Sequence, residues 1–343
     1  MLISEFDYEL PEALIAQKPL KERANSRMLL IDRAAKTFTD EQFVDLPKFL
    51  KKDDVVVLNN TKVFPARLFG TSETGAKIEV FLVRELEDRI WEALARPGKR
   101  LKISKKITFG ENLTAEVLER SEDGKVFVRF EASGDFDAIL DKIGKTPLPP
   151  YIKRDSEKED EDRERYQTVF AREKGAIAAP TAGLHFTPQI LEEIKDLGAQ
   201  LAEITLHIGY GTFEPVRVSD LSGHKVTPES FEIDEKTARI LNKAKAEKRR
   251  VIAIGTTTTR ALESSVDESF EVRTGKQLAN LTITPGYKFK IIDGLLTNFH
   301  LPRSSLLVLV STFTGHELIM KAYKHAVAQS YRFYSYGDCM LIL

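Results

Sequence analysis

The chain has 343 residues, 42% hydrophobic and 30% charged, with a formal net charge of -1. That balance describes an ordinary globular protein of two domains or one large one, and excludes a generally basic, nucleic-acid-coating surface while leaving room for a local basic patch. Its one cysteine, Cys339, excludes an internal disulfide and any multi-cysteine metal site.

Residues 1–60 read as helix and strand broken by loops. Residues 10–16 predict a short helix with Pro11 in its first turn. The apolar runs at 28–31 and 55–58 have the length of buried strands. Early acids Glu5, Asp7 and Glu9, without an apolar core, argue against an export signal and for a cytoplasmic protein. From about 64 to 148 the pattern changes. Residues 77–83 begin with strand alternation, and 125–130 follow an Asp123-Gly124 turn, which are hairpin signals. Short, closely spaced strands predict a small antiparallel barrel, bounded by Pro65 and by Pro147-Leu148-Pro149-Pro150. The charge run at 153–165 reads as a solvated linker or mobile loop. Beyond 176, strand and helix alternate. Thr187 caps a helix with Pro188 at its first position and Gly198 at its end. Asp234 caps a second, basic helix through Arg250; residues 251–254 form a buried strand, and 317–329 a third helix. The expected fold class is α/β: a discontinuous main α/β domain, residues 1–63 and 149–343, interrupted by an inserted small antiparallel β-barrel domain at 64–148.

Three loop-like segments, at 179–187, 205–213 and 296–302, each set a histidine among small or hydroxyl residues. His185, His207 and His300 are candidate acid–base groups. Thr181, Gly183, Gly209, Gly211, Thr212, Thr297 and Asn298 are candidate ligand contacts around them. A lone loop histidine is more often a structural hydrogen-bonder; the shared setting favours one polar pocket. Zinc spacing is absent, so no metal is expected. Thr256, Thr257 and Arg260 follow a predicted strand and open a helix, which suits an anionic ligand or a simple capped turn. His224 and Glu229 make either an acid–base pair or a surface loop. Arg96, Lys99, Arg100, Lys102, Lys105 and Lys106 form a basic segment in the barrel, for phosphate contact or edge protection. Arg332 lies among aromatics at 331–338, where base stacking competes with core packing.

Taken together, these segments closely resemble the S-adenosylmethionine:tRNA ribosyltransferase-isomerase family of queuosine biosynthesis. The resemblance rests on Phe6-Asp7-Tyr8-Glu9-Leu10-Pro11, Asn59-Asn60-Thr61-Lys62-Val63, Arg96-Pro97-Gly98-Lys99-Arg100, Glu164-Arg165-Tyr166-Gln167-Thr168-Val169, the three histidine loops, Pro285-Gly286-Tyr287 and Tyr331-Arg332-Phe333. It implies an α/β domain with an inserted barrel. It also implies transfer of the ribosyl portion of S-adenosylmethionine to 7-aminomethyl-7-deazaguanine at the tRNA wobble position, giving epoxyqueuosine, adenine and methionine. S-adenosylmethionine would then be a consumed co-substrate, with no resident cofactor and no metal; the expected partner is the tRNA anticodon stem-loop, and the expected state a monomer. The implied chemistry needs a base for the acidified 5′-methylene and a group to receive the amine proton, roles expected of the histidines. Many members of that family read His-Lys-Met-His-x-Glu where this chain has His224-Lys225-Val226-Thr227-Pro228-Glu229, so a universal role for the second histidine is excluded here. The alternatives are an S-adenosylmethionine-dependent RNA methyltransferase and a non-catalytic RNA-binding protein.

Overall fold

A computed structural model describes residues 1–98, 101–153, 159–209, 216 and 218–343. Strands β1 (Arg27–Asp32) and β2 (Thr37–Gln42) form a hairpin. The short helix α1 (Leu46–Phe49) leads into β3 (Val55–Asn59), and β4 (Thr61–Val63) exits toward the barrel. The barrel strands are β5 (Arg67–Ser72), β6 (Lys77–Glu87), β7 (Ile90–Arg96), β8 (Lys106–Thr108), β9 (Leu113–Arg120) and β10 (Lys125–Ala132). Helices α2 (Phe136–Ile143) and α3 (Glu159–Arg165) follow, then β11 (Glu173–Ala176), α4 (Pro188–Asp196), β12 (Gln200–Leu206) and β13 (Glu229–Ile233). The remainder alternates α5 (Glu235–Ala246), β14 (Val251–Ile254), α6 (Thr256–Ser265), β15 (Gly275–Ala279), β16 (Gly294–Asn298), α7 (Ser305–Thr314), α8 (His316–Ala328) and β17 (Cys339–Ile342).

Among the described residues these make a nine-stranded sheet, ordered β15-β13-β12-β3-β14-β16-β17-β1-β2, and a closed six-stranded antiparallel barrel. The centre of the sheet, β12-β3-β14-β16, is parallel; antiparallel pairs flank it on both sides, and β17 and β1 form a further parallel pair. Every residue of β3, β14 and β16 is buried, as strands covered on both faces require. The barrel strands instead alternate. Ile78, Val80 and Leu82 point inward from β6, and Val126, Val128 and Phe130 from β10. At Gly70 a Cβ would stand 2.7 Å from the Phe109 ring and from the Thr108 carbonyl, so this corner of the barrel has room only for glycine. No helix among the described residues is long and apolar enough to cross a membrane.

Three local expectations change. Residues 10–16 do not form a helix: only a 3-10 turn, Glu12–Leu14, is present. Main-chain bonds from Phe333 to Leu14 and from Ala16 to Phe333 replace the next helical turn. The charge run expected to be a linker contains α3, whose Asp162 is buried and receives the Tyr336 hydroxyl. Composition alone hides such tertiary contacts. The basic helix stops at Ala246, four residues before the expected end at Arg250, because Val251 already enters the sheet.

Candidate functional site

The parallel strands β14 and β16 are in register, Ile254 beside Leu296, so the chain leaves both at the same edge of the sheet. That carboxyl edge is where open α/β sheets build clefts. After β14 the chain turns at Gly255 (φ 96°, ψ 152°) directly into α6. The Thr258 and Thr259 hydroxyls fold back onto the carbonyls of Ile254 and Gly255, while Thr256 and Thr257 line a pocket. The first N–H groups of a helix have no partner within it, and the helix dipole favours negative charge there. β16 ends at Asn298, and Phe299 and His300 follow; all three line the same pocket. The segment Ala178–Ala182 and the aromatic residues Tyr151, Tyr166 and Tyr334 complete an enclosure with about 600 Å³ of empty space, its mouth included.

Two buried histidines attend this pocket differently. His300 lines it, and its Nε2 lies 3.0 Å from the Thr297 hydroxyl. Its main-chain N–H donates to the Tyr323 hydroxyl and its carbonyl receives the Tyr8 hydroxyl, so the backbone is held from both sides. Burial pushes the His300 imidazole down to about 3, so it is neutral near pH 7. His185 stands one side chain behind. Asn298 donates its amide N–H to His185 Nε2 at 3.2 Å and to the Tyr334 carbonyl at 3.1 Å. An Nε2 that accepts leaves the proton on Nδ1, which donates to Ser26 Oγ at 2.8 Å. Burial pushes this ring down to about 4. Both of its nitrogens are thus engaged within the protein. The Asn298 amide, with its nitrogen fixed by two acceptors, must turn Oδ1 the other way. That oxygen is buried without a partner.

The remaining expected residues are distributed. Thr181, Thr256, Thr257, Thr297, Asn298 and His300 share the pocket. His207 does not join them. Its Nδ1 lies 2.8 Å from the Thr61 hydroxyl, and its ring packs on Gly175, where a Cβ would come within 2.7 Å of it. The three histidines therefore do not share one cavity. Gly183 is packed under Phe170 and Thr168, a steric need and not a ligand contact. Gly209 donates its N–H to Glu229. Glu229 is paired with Arg260 at 2.8 Å, both buried, and Arg260 also donates to the carbonyls of Thr227 and Ala279. The Arg260 charge is thus already balanced. His224 lines a second cleft with Arg260, and this cleft shares Thr257 and Leu306 with the first. Desolvation, reinforced by Arg260, lowers the His224 pKa. In the barrel, Arg96, Lys102, Lys105 and Lys106 are exposed, the last two paired with Glu73 and Glu131. None of these barrel residues lines the pocket. Arg332 lies outside it, its guanidinium held by the Lys18 carbonyl. Lys99, Arg100, Gly211 and Thr212 lie outside the described residues.

The aromatic wall was missed as a wall. Tyr151 and Tyr334 meet edge to face with ring centroids 3.9 Å apart, and the Tyr151 hydroxyl bonds Ser335. Burial pushes the Tyr334 phenol up to about 12, so it stays neutral. The aromatics at 331–336 were the available signal. Tyr151, after a proline-rich stretch, carried none.

A family model described as queuosine biosynthesis protein matches residues 3–342. A Syntrophotalea carbinolica protein named S-adenosylmethionine:tRNA ribosyltransferase-isomerase is 49% identical over 345 residues, covering 100% of both chains. A Natranaerobius thermophilus protein of the same name is 48% identical, covering 100% of this chain and 99% of its own. Among solved structures, an S-adenosylmethionine tRNA ribosyltransferase from Thermotoga maritima aligns with a TM-score of 0.56 at 35% identity, over 99% of this chain and 100% of that one.

Proposed function

The chain belongs to the queuosine biosynthesis protein family, and on that premise we infer that the pocket at the carboxyl edge of β14 and β16 is its reaction site. The protein is an S-adenosylmethionine:tRNA ribosyltransferase-isomerase. It transfers and isomerises the ribosyl moiety of S-adenosylmethionine onto 7-aminomethyl-7-deazaguanine at the wobble position of tRNA, releasing adenine and methionine. S-adenosylmethionine is a substrate here, consumed in each turnover. We read the enzyme as needing neither metal nor resident cofactor, and as working in the cytoplasm as a monomer on the anticodon stem-loop.

One observation carries the site assignment: His300 with its neutral imidazole, Asn298 with its unpaired amide oxygen, and the first residues of α6 line the same aromatic-walled pocket. The first turn of α6, with Thr256 and Thr257, suits the donor's methionine carboxylate. The rings of Tyr151 and Tyr334 offer stacking surface for adenine or the deazaguanine. His300 lines the pocket and is our candidate for the group that takes a proton from the acidified 5′-methylene or from the attacking amine; the burial that keeps it neutral also weakens it as a base. Asn298 Oδ1 can accept from an N–H of adenine or of the amine. His185, bonded through both ring nitrogens, is assigned the task of holding Asn298. His224 and Glu229 are left a supporting part around Arg260.

The test uses S-adenosylmethionine labelled in its ribose. Transfer of label to tRNA, with adenine and methionine released in equal amounts, is the expected result. S-adenosylhomocysteine as the product would replace this reading with a methyltransferase. His300→Ala is expected to lower single-turnover transfer by 10²-fold or more, as for loss of a positioned acid–base group. A near-normal rate removes His300 from the chemistry.

A further inference from the structure

A third cleft lies beside the reaction pocket, lined by Pro19, Leu20, Arg23, Arg165, His185 and Ser335 among others, with about 290 Å³ of empty space including its mouth. Ser335 borders both cavities, and the His185–Asn298 hydrogen bond forms the partition between them. Two arginines, Arg23 and Arg165, line this cleft, and a third, Arg332, lies close enough for its charge to act on His185; all three are oriented by main-chain carbonyls. Arg23 donates to the carbonyls of Gln167 and Leu184 at 2.7 and 3.2 Å, and to that of Glu164 at 3.0 Å. Arg165 donates to the carbonyl of Lys21 at 2.8 Å and to that of Leu20. Arg332, whose charge is felt at His185, donates to the Lys18 carbonyl.

A carbonyl fixes a guanidinium without cancelling its charge. Among the described residues, Glu164 acts on Arg23 and Asp338 on Arg332, while the buried Asp162 receives the hydroxyl of Tyr336, which lines the cleft. Glu164 is exposed, and both oxygens of Asp338 are already bonded to the N–H groups of Arg27 and Arg332. Arg165 Nε and Arg332 Nη1 are buried with no hydrogen-bond partner. Half-buried like charges with unspent donors repel one another, and burial with this repulsion lowers the Arg23 pKa. An anion with several acceptor oxygens relieves both problems, and the planar guanidinium fork matches a phosphate.

We propose that the cleft lined by Arg23 and Arg165, with Arg332 behind it, is a phosphodiester subsite that grips the RNA backbone next to the nucleotide whose base enters the reaction pocket. The proposal rests on the tRNA reading above. It explains why the cationic cleft and the pocket share a wall: a base turned out of an anticodon loop carries its flanking phosphate with it.

The test measures binding of an anticodon stem-loop RNA against salt concentration for the full-length protein, Arg23→Gln and Arg165→Gln. Each lost phosphate contact lowers the slope of log affinity on log salt by about 0.7 for single-stranded RNA, and that drop is the expected result for each variant. Because these side chains also brace carbonyls, a second measurement uses the unaltered protein. Neutral methylphosphonate linkages are walked through the loop, and replacement beside the target nucleotide is expected to weaken binding about tenfold. Unchanged slopes together with indifference to every methylphosphonate overturn the subsite while leaving the enzyme assignment intact. Failure of the unaltered protein to bind the RNA at all overturns the assignment itself. Inorganic phosphate that binds the unaltered protein but not the variants, with RNA slopes unchanged, identifies a free-phosphate site and also overturns the proposal.

Discussion

His185 engages both ring nitrogens inside the protein and His300 bonds Thr297 through one, and their burial makes their charge state a matter of stability as well as chemistry. A buried imidazolium loses its hydration, so the folded protein resists protonating either ring until about pH 3 and about pH 4. In the unfolded chain both titrate near the ordinary histidine value of about 6.5. Above that value the rings are neutral in both states and contribute no pH dependence. Below it the unfolded chain binds protons first, so stability falls with pH, by about 1.4 kcal/mol per histidine per pH unit, until the folded-state values are reached. Urea unfolding at pH 7, 6 and 5 should therefore show a decline that is shallower in His300→Gln by one histidine's share. Parallel decline in both proteins would mean that the native ring is solvated or charged, and an imidazole of that kind is not the neutral acceptor assigned to the reaction.

The junction of β14 and α6 shows how an element end sets the chemistry. Gly255 sits at φ 96° and ψ 152°, a region open essentially to glycine alone. A Cβ there would meet only ordinary contacts, Ala182 and the Thr257 hydroxyl at 3.8 Å, so the obstacle to substitution is the backbone and not space. Gly255→Ala is expected to destabilise the protein by about 1–3 kcal/mol and, by re-aiming the first turn of α6, to weaken S-adenosylmethionine binding beyond what the stability loss explains. Thermal unfolding with calorimetric titration of the donor separates the two effects; unaltered donor affinity would detach the helix end from the carboxylate. This junction was legible in the sequence, because an apolar run, a glycine and a threonine run announce strand, turn and helix. So was α4, whose Thr187 accepts from the Ile190 N–H as a cap should. What pairs with each histidine was not legible. The partner of His185 is Ser26, 159 residues away in the chain, and that of His207 is Thr61, 146 residues away. Local pattern reports a residue type in a loop, while the direction its ring faces is decided by tertiary packing. Arg260 fails for the same reason, since nothing near it in sequence announces Glu229.

The barrel and the large sheet have separate interiors. Trp91, Leu68, Val80, Val117 and Val128 belong to the barrel core, whereas the buried residues of β3, β12, β14 and β16 pack into clusters on the two faces of the sheet. Several contacts join them: Lys174 pairs with Asp137 and Asp141 of α2, Arg163 donates to the Asp141 carbonyl, and Ile177 packs into the barrel core. The proposed reaction pocket draws its lining from residues 151–335 and none from the barrel strands. Donor binding should then stabilise the sheet and leave the barrel untouched. The chain offers a direct way to see this, because its one tryptophan, Trp91, is buried in the barrel. Trp91 fluorescence reports that unit, while far-ultraviolet circular dichroism is dominated by the helices around the sheet. In urea the two signals should give separate midpoints, as units with independent cores do. S-adenosylmethionine at 100 times its dissociation constant should raise the sheet transition by about 2.7 kcal/mol while the Trp91 transition stays in place. Coincident transitions that move together would show that these contacts couple the barrel to the catalytic sheet. In that case RNA held on the barrel's basic strand could influence the donor site through the fold itself.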